Sequence, residues 1–239
     1  MTWLKDFPIA HRGFHQHPHI PENSIAAFKE AMKRGYAIEL DVRLSHDGEV
    51  MVFHDRELKR LTGHDGLIDE TPLRTLQTLT LFDTLEPIPT LKEVLALVNG
   101  VVPLLVEIKT DGDIKVVSKS VAEVLDDYTG DFAIQSFHPG ALTWFKTWRS
   151  HITRGQLAEY FIEEETMAWW KKKLLKRFAF NVQTQPDFIN YALRDLPNRF
   201  VDKQKKQGRL TLAYTITSEE ALHDALKLVD NVVFEGFER

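Results

Sequence analysis

Short runs of apolar and β-branched residues recur along the chain. They alternate with longer runs whose apolar positions repeat every three or four residues. The short runs predict strands at 8–13 (PIAHRG), 36–44 (YAIELDVRL), 103–109 (PLLVEIK), 131–137 (DFAIQSF), 152–159 (ITRGQLAE), 177–185 (RFAFNVQTQ), 210–217 (LTLAYTIT) and 231–236 (NVVFEG). The longer runs predict helices between them. PENSIAAFKEAMKRG places Ile25, Phe28 and Met32 on one face, with Asn23 or Ser24 to cap its start and Gly35 to end it. PTLKEVLALVNG carries Leu91, Val94, Leu95 and Val98 on one stripe. IKVVSKSVAEVLDDY, HPGALTWFKTW, TMAWWKKKLLKR and SEEALHDALKLVD read as further helices. Eight strands alternating with helices in one domain, 1–239, predict an α/β fold: a single (β/α)8 TIM barrel. An open doubly wound sheet is the structural alternative. In a barrel, chemistry belongs at the C-terminal ends of the strands.

Two of these strands depart from the near-continuous apolar run of a buried parallel strand. In AIELDVRL, residues Glu39, Asp41 and Arg43 share one face, while Ile38, Leu40, Val42 and Leu44 share the other. PLLVEIK repeats the break with Glu107 and Lys109. Neighbouring carboxylates repel when both are ionised, so they need a proton, a cation or a basic side chain between them. Internal ion pairs, Glu39–Arg43 and Glu107–Lys109, are one solution. The same break in two strands, near the C-terminal end of each, favours a site. Three converging carboxylates, Glu39, Asp41 and Glu107, offer all-oxygen ligation to a hard cation, Mg²⁺ or Ca²⁺. Lys109 would point to the same place and hold an anionic oxygen. Next, SHDGEVMVFHD contains the turn signal Asp47-Gly48. It predicts a small β-hairpin insertion after the second strand, whose returning arm brings His54 back toward the carboxylates.

Composition narrows the possibilities. The 239 residues are 43% hydrophobic and 27% charged, and the net charge is −5. This is the profile of an ordinary globular protein with no nucleic-acid-binding surface. With no cysteine, disulfides, thiolate metal sites and a Cys nucleophile are excluded. No secretory signal or membrane-spanning run is visible, so a cytoplasmic location without integral membrane association is expected.

His-Arg-Gly (11–13), Pro-Glu-Asn-Ser (21–24), ELDVRLSHDGEVMVFHD (39–55) and Val-Glu-Ile-Lys (106–109), in that order, closely resemble the motifs of the glycerophosphodiester phosphodiesterases. PIPTLKEVL (87–95) resembles that family's helix entry after its second large loop. The later strands match more loosely: Tyr214 stands where Trp is common, Thr217 where Asn is common, and Glu235 where many members carry Asp. The resemblance implies a metal-dependent barrel hydrolase that converts a small-molecule glycerophosphodiester to sn-glycerol 3-phosphate and an alcohol. It implies that His11 and His54 are the acid/base pair and that Glu39, Asp41 and Glu107 bind the metal. Arg12 and Lys109 then hold the phosphate. A related phosphodiesterase acting on lysophospholipid or sphingolipid headgroups is the alternative enzyme, and a non-catalytic phosphodiester-binding barrel the alternative of another class.

Two features remain. His15, His17 and His19 follow His11 in a segment interrupted by Pro18 and Pro21, which predicts an irregular loop rather than a zinc site. Trp144, Trp148, Trp169 and Trp170 are expected to pack their helices against the barrel, with Lys171, Lys172 and Lys173 on a solvated face.

Overall fold

A computed structural model describes residues 2–110 and 112–239. Eight parallel strands alternating with helices make the fold a (β/α)8 barrel, and one further antiparallel strand lies outside the eight. The chain divides into two compact units, residues 9–132 and residues 1–8 with 133–239.

The first unit holds β1 (Ile9–Ala10), β2 (Ala37–Leu44), β3 (Val50–Val52) and β4 (Leu104–Ile108). β1 pairs parallel with β2 through Ile9–Ala37, and β2 pairs parallel with β4 from Ile38–Leu104 to Val42–Ile108. β3 folds back antiparallel on the end of β2, with Val52 opposite Val42, as the Asp47-Gly48 turn predicts. The helix Ile25–Lys33 starts at Ser24, whose hydroxyl accepts from the Ala27 amide, and buries Ala27, Phe28 and Ala31. The helix Leu91–Val98 opens with a reciprocal cap between Thr90 and Glu93 and buries the expected Leu91, Val94, Leu95 and Val98. Between β3 and this helix the insertion is more than a hairpin. Met51, Phe53, Leu58, Leu61, Ile68, Leu76, Leu81 and Ile88 form a small core of their own beneath short helical turns. That core fixes the segment carrying residues 53–60.

The second unit continues with β5 (Phe132–Ser136), β6 (Arg154–Ala158), β7 (Phe188–Ala192), β8 (Leu210–Ile216) and β9 (Asn231–Phe234), each from β6 onward parallel to its predecessor. The strand expected at 177–185 does not form. Phe178 and Gln185 take left-handed φ values of 58° and 43°, Asn181–Thr184 is a helical turn, and Val182 is exposed. The apparent alternation of Phe178, Phe180 and Val182 therefore never lines one face. The strand is FINYA, past Pro186, fully buried although Asn190 interrupts its apolar run. Asn190 is accommodated because its Nδ2 donates to Gln135 Oε1 at 3.0 Å. The helix Arg199–Lys206 between β7 and β8 was not expected either. The tryptophans also depart from expectation. Trp144 is half-buried beside Phe145, but Trp148, Trp169 and Trp170 are exposed. Trp169 and Trp170 lie on a seven-residue helix that buries no residue, and Lys173 and Lys171 rest over their rings.

Gly155 and Phe188 face each other across the β6–β7 ladder, and the Phe188 ring covers the place a Cβ would occupy on Gly155. Phe188 is fully buried and has nowhere to move. Gly155→Ala should therefore lower the unfolding free energy by about 1–3 kcal/mol, read from urea denaturation. Combining it with Phe188→Leu should recover part of that loss; purely additive losses would contradict the packing argument.

Candidate active site

The two breaks in the apolar pattern meet at one place. Asp41 in β2 is the register partner of Glu107 in β4, and Glu39 lies two residues earlier on the same face of β2. One carboxylate oxygen from each of the three lies within 4.8 Å of the others, and all three residues are buried. Burial, reinforced by the charges of Asp41 and Glu107, pushes Glu39 well above the usual carboxylate range. Burial opposes the charge of Asp41 too, but Lys109, His54, Arg12 and His11 outweigh it and hold this carboxyl well below its ordinary value. The donor set is all oxygen, buried and in excess of negative charge, which fits a hard divalent cation.

Cations and dipoles of the chain itself close around this cluster. Lys109 follows β4; its ammonium lies 3.0 Å from Asp41 Oδ1 and donates to Glu107 Oε1. Burial disfavours its charge, but those two carboxylates raise its pKa nonetheless. Arg12 follows β1 with a left-handed φ of 52°. Its amide donates to Glu39 Oε2 at 3.0 Å, its Nε lies 3.3 Å from Asp41 Oδ2, and its Nη1 donates to Glu22 Oε1 at 2.6 Å. The turn continues through Gly13 at φ 77°, where a Cβ would stand 2.9 Å from Ala27 and Phe28, so only glycine fits. Asn23, at φ 55°, donates from Nδ2 to Asp41 Oδ2 at 2.9 Å and accepts from the Asp41 amide at 3.2 Å. Of the two internal ion pairs weighed from sequence, Glu107–Lys109 forms, while Arg43 sends its Nε to the His54 carbonyl at 2.7 Å.

His54 lies just past β3, where the Phe53 amide donates to the Asp41 carbonyl at 2.9 Å. Its Nδ1 is 2.7 Å from Asp55 Oδ1. Burial raises the Asp55 pKa, but hydrogen bonds from His54 and Arg60 and the charge of Arg60 bring it far below the usual range. An ionised carboxylate only accepts, so Nδ1 carries the hydrogen and Nε2 is the nitrogen able to exchange a proton with a ligand. His11 follows β1 directly, half-buried, and its charge is among those acting on Asp41. His15, His17 and His19 occupy the expected loop, closed by paired Gln16–Ile20 backbone bonds of 2.9 Å. His17 Nε2 lies 3.1 Å from Glu22 Oε2, and burial together with His15 lowers its pKa.

Sequence reasoning gave no place in the site to Glu22, Asn23, Asp55 or Arg60, and weighed Asn23 only as a helix cap, a role that Ser24 takes. The left-handed Asn23 before a helix cap is a local signal that was there to be read. Glu22 and Arg60 carry none for their mutual contact, because it joins residues 38 apart, and Arg12 lies 10 residues from Glu22. Glu22 is the most constrained of them. Burial raises its pKa, yet hydrogen bonds from Arg60 and the charges of Arg12 and Arg60 bring it down to about 2 from 4.5.

A depressed folded-state pKa means that Glu22 stabilises the fold above its unfolded value of 4.5 and ceases to do so as pH falls through about 2. The difference corresponds to about 3 kcal/mol. Urea unfolding of Glu22→Gln and the parent should therefore show a stability gap that closes as pH falls from 4.5 to 2. A gap independent of pH would contradict this role.

Comparison with known proteins identifies a family. Residues 11–234 match the model of the glycerophosphoryl diester phosphodiesterase family. A glycerophosphodiester phosphodiesterase of Bacillus altitudinis is 31% identical over 96% of this chain and 94% of its own. One from Caldanaerobacter subterraneus subsp. tengcongensis is 28% identical over the same shares. Among solved structures, an Oleispira antarctica phosphodiesterase in complex with the product sn-glycerol-3-phosphate superposes with a TM-score of 0.82 at 28% identity, covering 98% of this chain and 94% of that one. This chain belongs to the glycerophosphoryl diester phosphodiesterase family.

Proposed function

We propose that the protein hydrolyses glycerophosphodiesters to sn-glycerol 3-phosphate and an alcohol. The observation that carries the reading is the convergence of Glu39, Asp41 and Glu107 with Lys109 and Arg12 at the ends of β1, β2 and β4. Membership of the family supports it, as does the product bound to the Oleispira relative.

Glu39, Asp41 and Glu107 hold the divalent cation, Mg²⁺ or Ca²⁺. A cation held there would supply Lewis acidity toward the phosphate. Lys109 places a second positive charge beside that position, and Arg12, fixed by Glu22 and Asp41, adds a guanidinium whose donors suit phosphate geometry. His11 and His54 make the proton transfers, one taking a proton from the nucleophile and one giving a proton to the leaving alkoxide; the nucleophile is either water directly or the glycerol C2 hydroxyl, whose cyclic phosphate water then opens. With Nδ1 donating to Asp55, His54 performs its transfer through Nε2. Among the described residues no helix is long and apolar enough to cross a membrane.

Release of sn-glycerol 3-phosphate from glycerophosphocholine and glycerophosphoethanolamine should stop with EDTA and return with added Mg²⁺ or Ca²⁺; no release under any metal from folded protein would sink the reading. His54→Ala should keep cation binding, measured by calorimetry, and lose about 10²–10⁴-fold in kcat. Normal turnover in that variant would remove His54 from its role.

A further inference from the structure

Arg60 lies in a short helix, Lys59–Thr62, on the insertion and outside the carboxylate cluster. Its side chain is about half exposed, yet its guanidinium turns inward onto two carboxylates at once. Nη1 donates to Glu22 Oε2 at 2.9 Å and Nη2 to Glu22 Oε1 at 2.8 Å. Nη2 also donates to Asp55 Oδ1 at 3.0 Å, and Nε to Asp55 Oδ2. The carboxylates it joins face different parts of the site. Glu22 receives Arg12 Nη1, and Asp55 receives His54 Nδ1. The result is one continuous relay of charge-assisted bonds: His54, Asp55, Arg60, Glu22, Arg12.

We propose that Arg60 is a positioning residue: it fixes the Asp55 carboxylate that selects the Nδ1–H tautomer of His54 and aims its Nε2, and it ties that orientation to the loop holding Arg12. The proposal rests on the reading of His54 as a proton-transfer residue. The physical basis is the geometry of the donors. Asp55 is only partly buried and follows His54 directly, and the bond to His54 engages one of its two carboxylate oxygens, Oδ1. A planar guanidinium gripping both oxygens fixes the plane of the carboxylate, whereas a single point charge does not. The anchor is itself anchored, because Glu22 is buried and takes Arg12 and Arg60 together. The backbone of His54 is held separately by Arg43 Nε at its carbonyl, so loss of Arg60 should loosen the ring without moving the chain. Outer partners of this kind control the tautomer and orientation of a working imidazole.

The test uses the full chain and two readouts. In protein labelled with ¹⁵N-histidine, with His54→Gln supplying the assignment, wild type should show His54 as the Nδ1–H tautomer. Arg60→Gln should convert that signal to a mixture with the Nε2–H form. In turnover of glycerophosphocholine with saturating metal, Arg60→Gln should lower kcat about 10–100-fold and change KM less than threefold. Arg60→Lys, which keeps the charge and should fold as wild type, should recover only part of kcat, since an ammonium cannot grip both oxygens. Asp55→Asn combined with Arg60→Gln should be little worse than Asp55→Asn alone, because Arg12 keeps Glu22, Asp41 and Glu39 without Arg60 and the loss then runs through one imidazole. An unchanged His54 signal in Arg60→Gln, full recovery by Arg60→Lys, or additive losses in the double variant would overturn the proposal. If wild type releases no sn-glycerol 3-phosphate, the proposed reaction fails, and the imidazole signal alone decides whether Arg60 orients His54.

Discussion

The interaction on which the site depends is repulsion between three carboxylates taken out of water together. Glu39, Asp41 and Glu107 stand on two hydrogen-bonded strands, so the ladder itself holds them close and they cannot move apart. Each desolvated charge is costly unless it meets an opposite charge, a donor or a proton. The neighbourhood reads as a set of answers to that cost. Glu39 takes the Arg12 amide; Asp41 takes Lys109, the Arg12 guanidinium and both hydrogen-bonding ends of Asn23. Glu107 takes Lys109.

In the proposed reaction, what neutralises the cluster would also prepare it for an anionic substrate. Lys109 and Arg12 carry positive charge at the strand ends because the carboxylates hold them there, and the unusual backbone at Arg12, Gly13 and Asn23 exists to deliver amides and side chains to that spot. A phosphodiester approaching a bound divalent cation would find these cations already in place, with no side chain to recruit. Preorganisation of this kind lowers the barrier because the reorganisation is complete before the substrate arrives. The Glu22–Arg60–Asp55 bridge extends the same principle outward, since charges that satisfy one another also lock the groups that carry them.

The departures from expectation share a cause. The segment 177–185 has strand-like composition but turns at Phe178 and Gln185, while FINYA has a polar centre and forms the strand. A strand is decided by whether its neighbours can satisfy and bury it, and Asn190 finds Gln135 on β5, 55 residues away. The tryptophans of 148, 169 and 170 are apolar by composition, but the short helix carrying the last two buries nothing, so they remain outside.

Local chemistry sufficed for the rest. The alternation of strands and helices, the period-two break that sets Glu39 with Asp41 and Glu107 with Lys109, the Asp47-Gly48 turn and the caps at Ser24 and Thr90 all act within a few residues, so the sequence by itself determined the barrel class and the acidic cluster. Only the tertiary structure decided where Arg43 points, that Glu22 and Arg60 meet across 38 residues, and that Asp55 is gripped on both oxygens. Those contacts depend on the small core beneath the insertion and on register between strands distant in sequence, and no periodicity along the chain encodes which charged side chain a fold will bring opposite another.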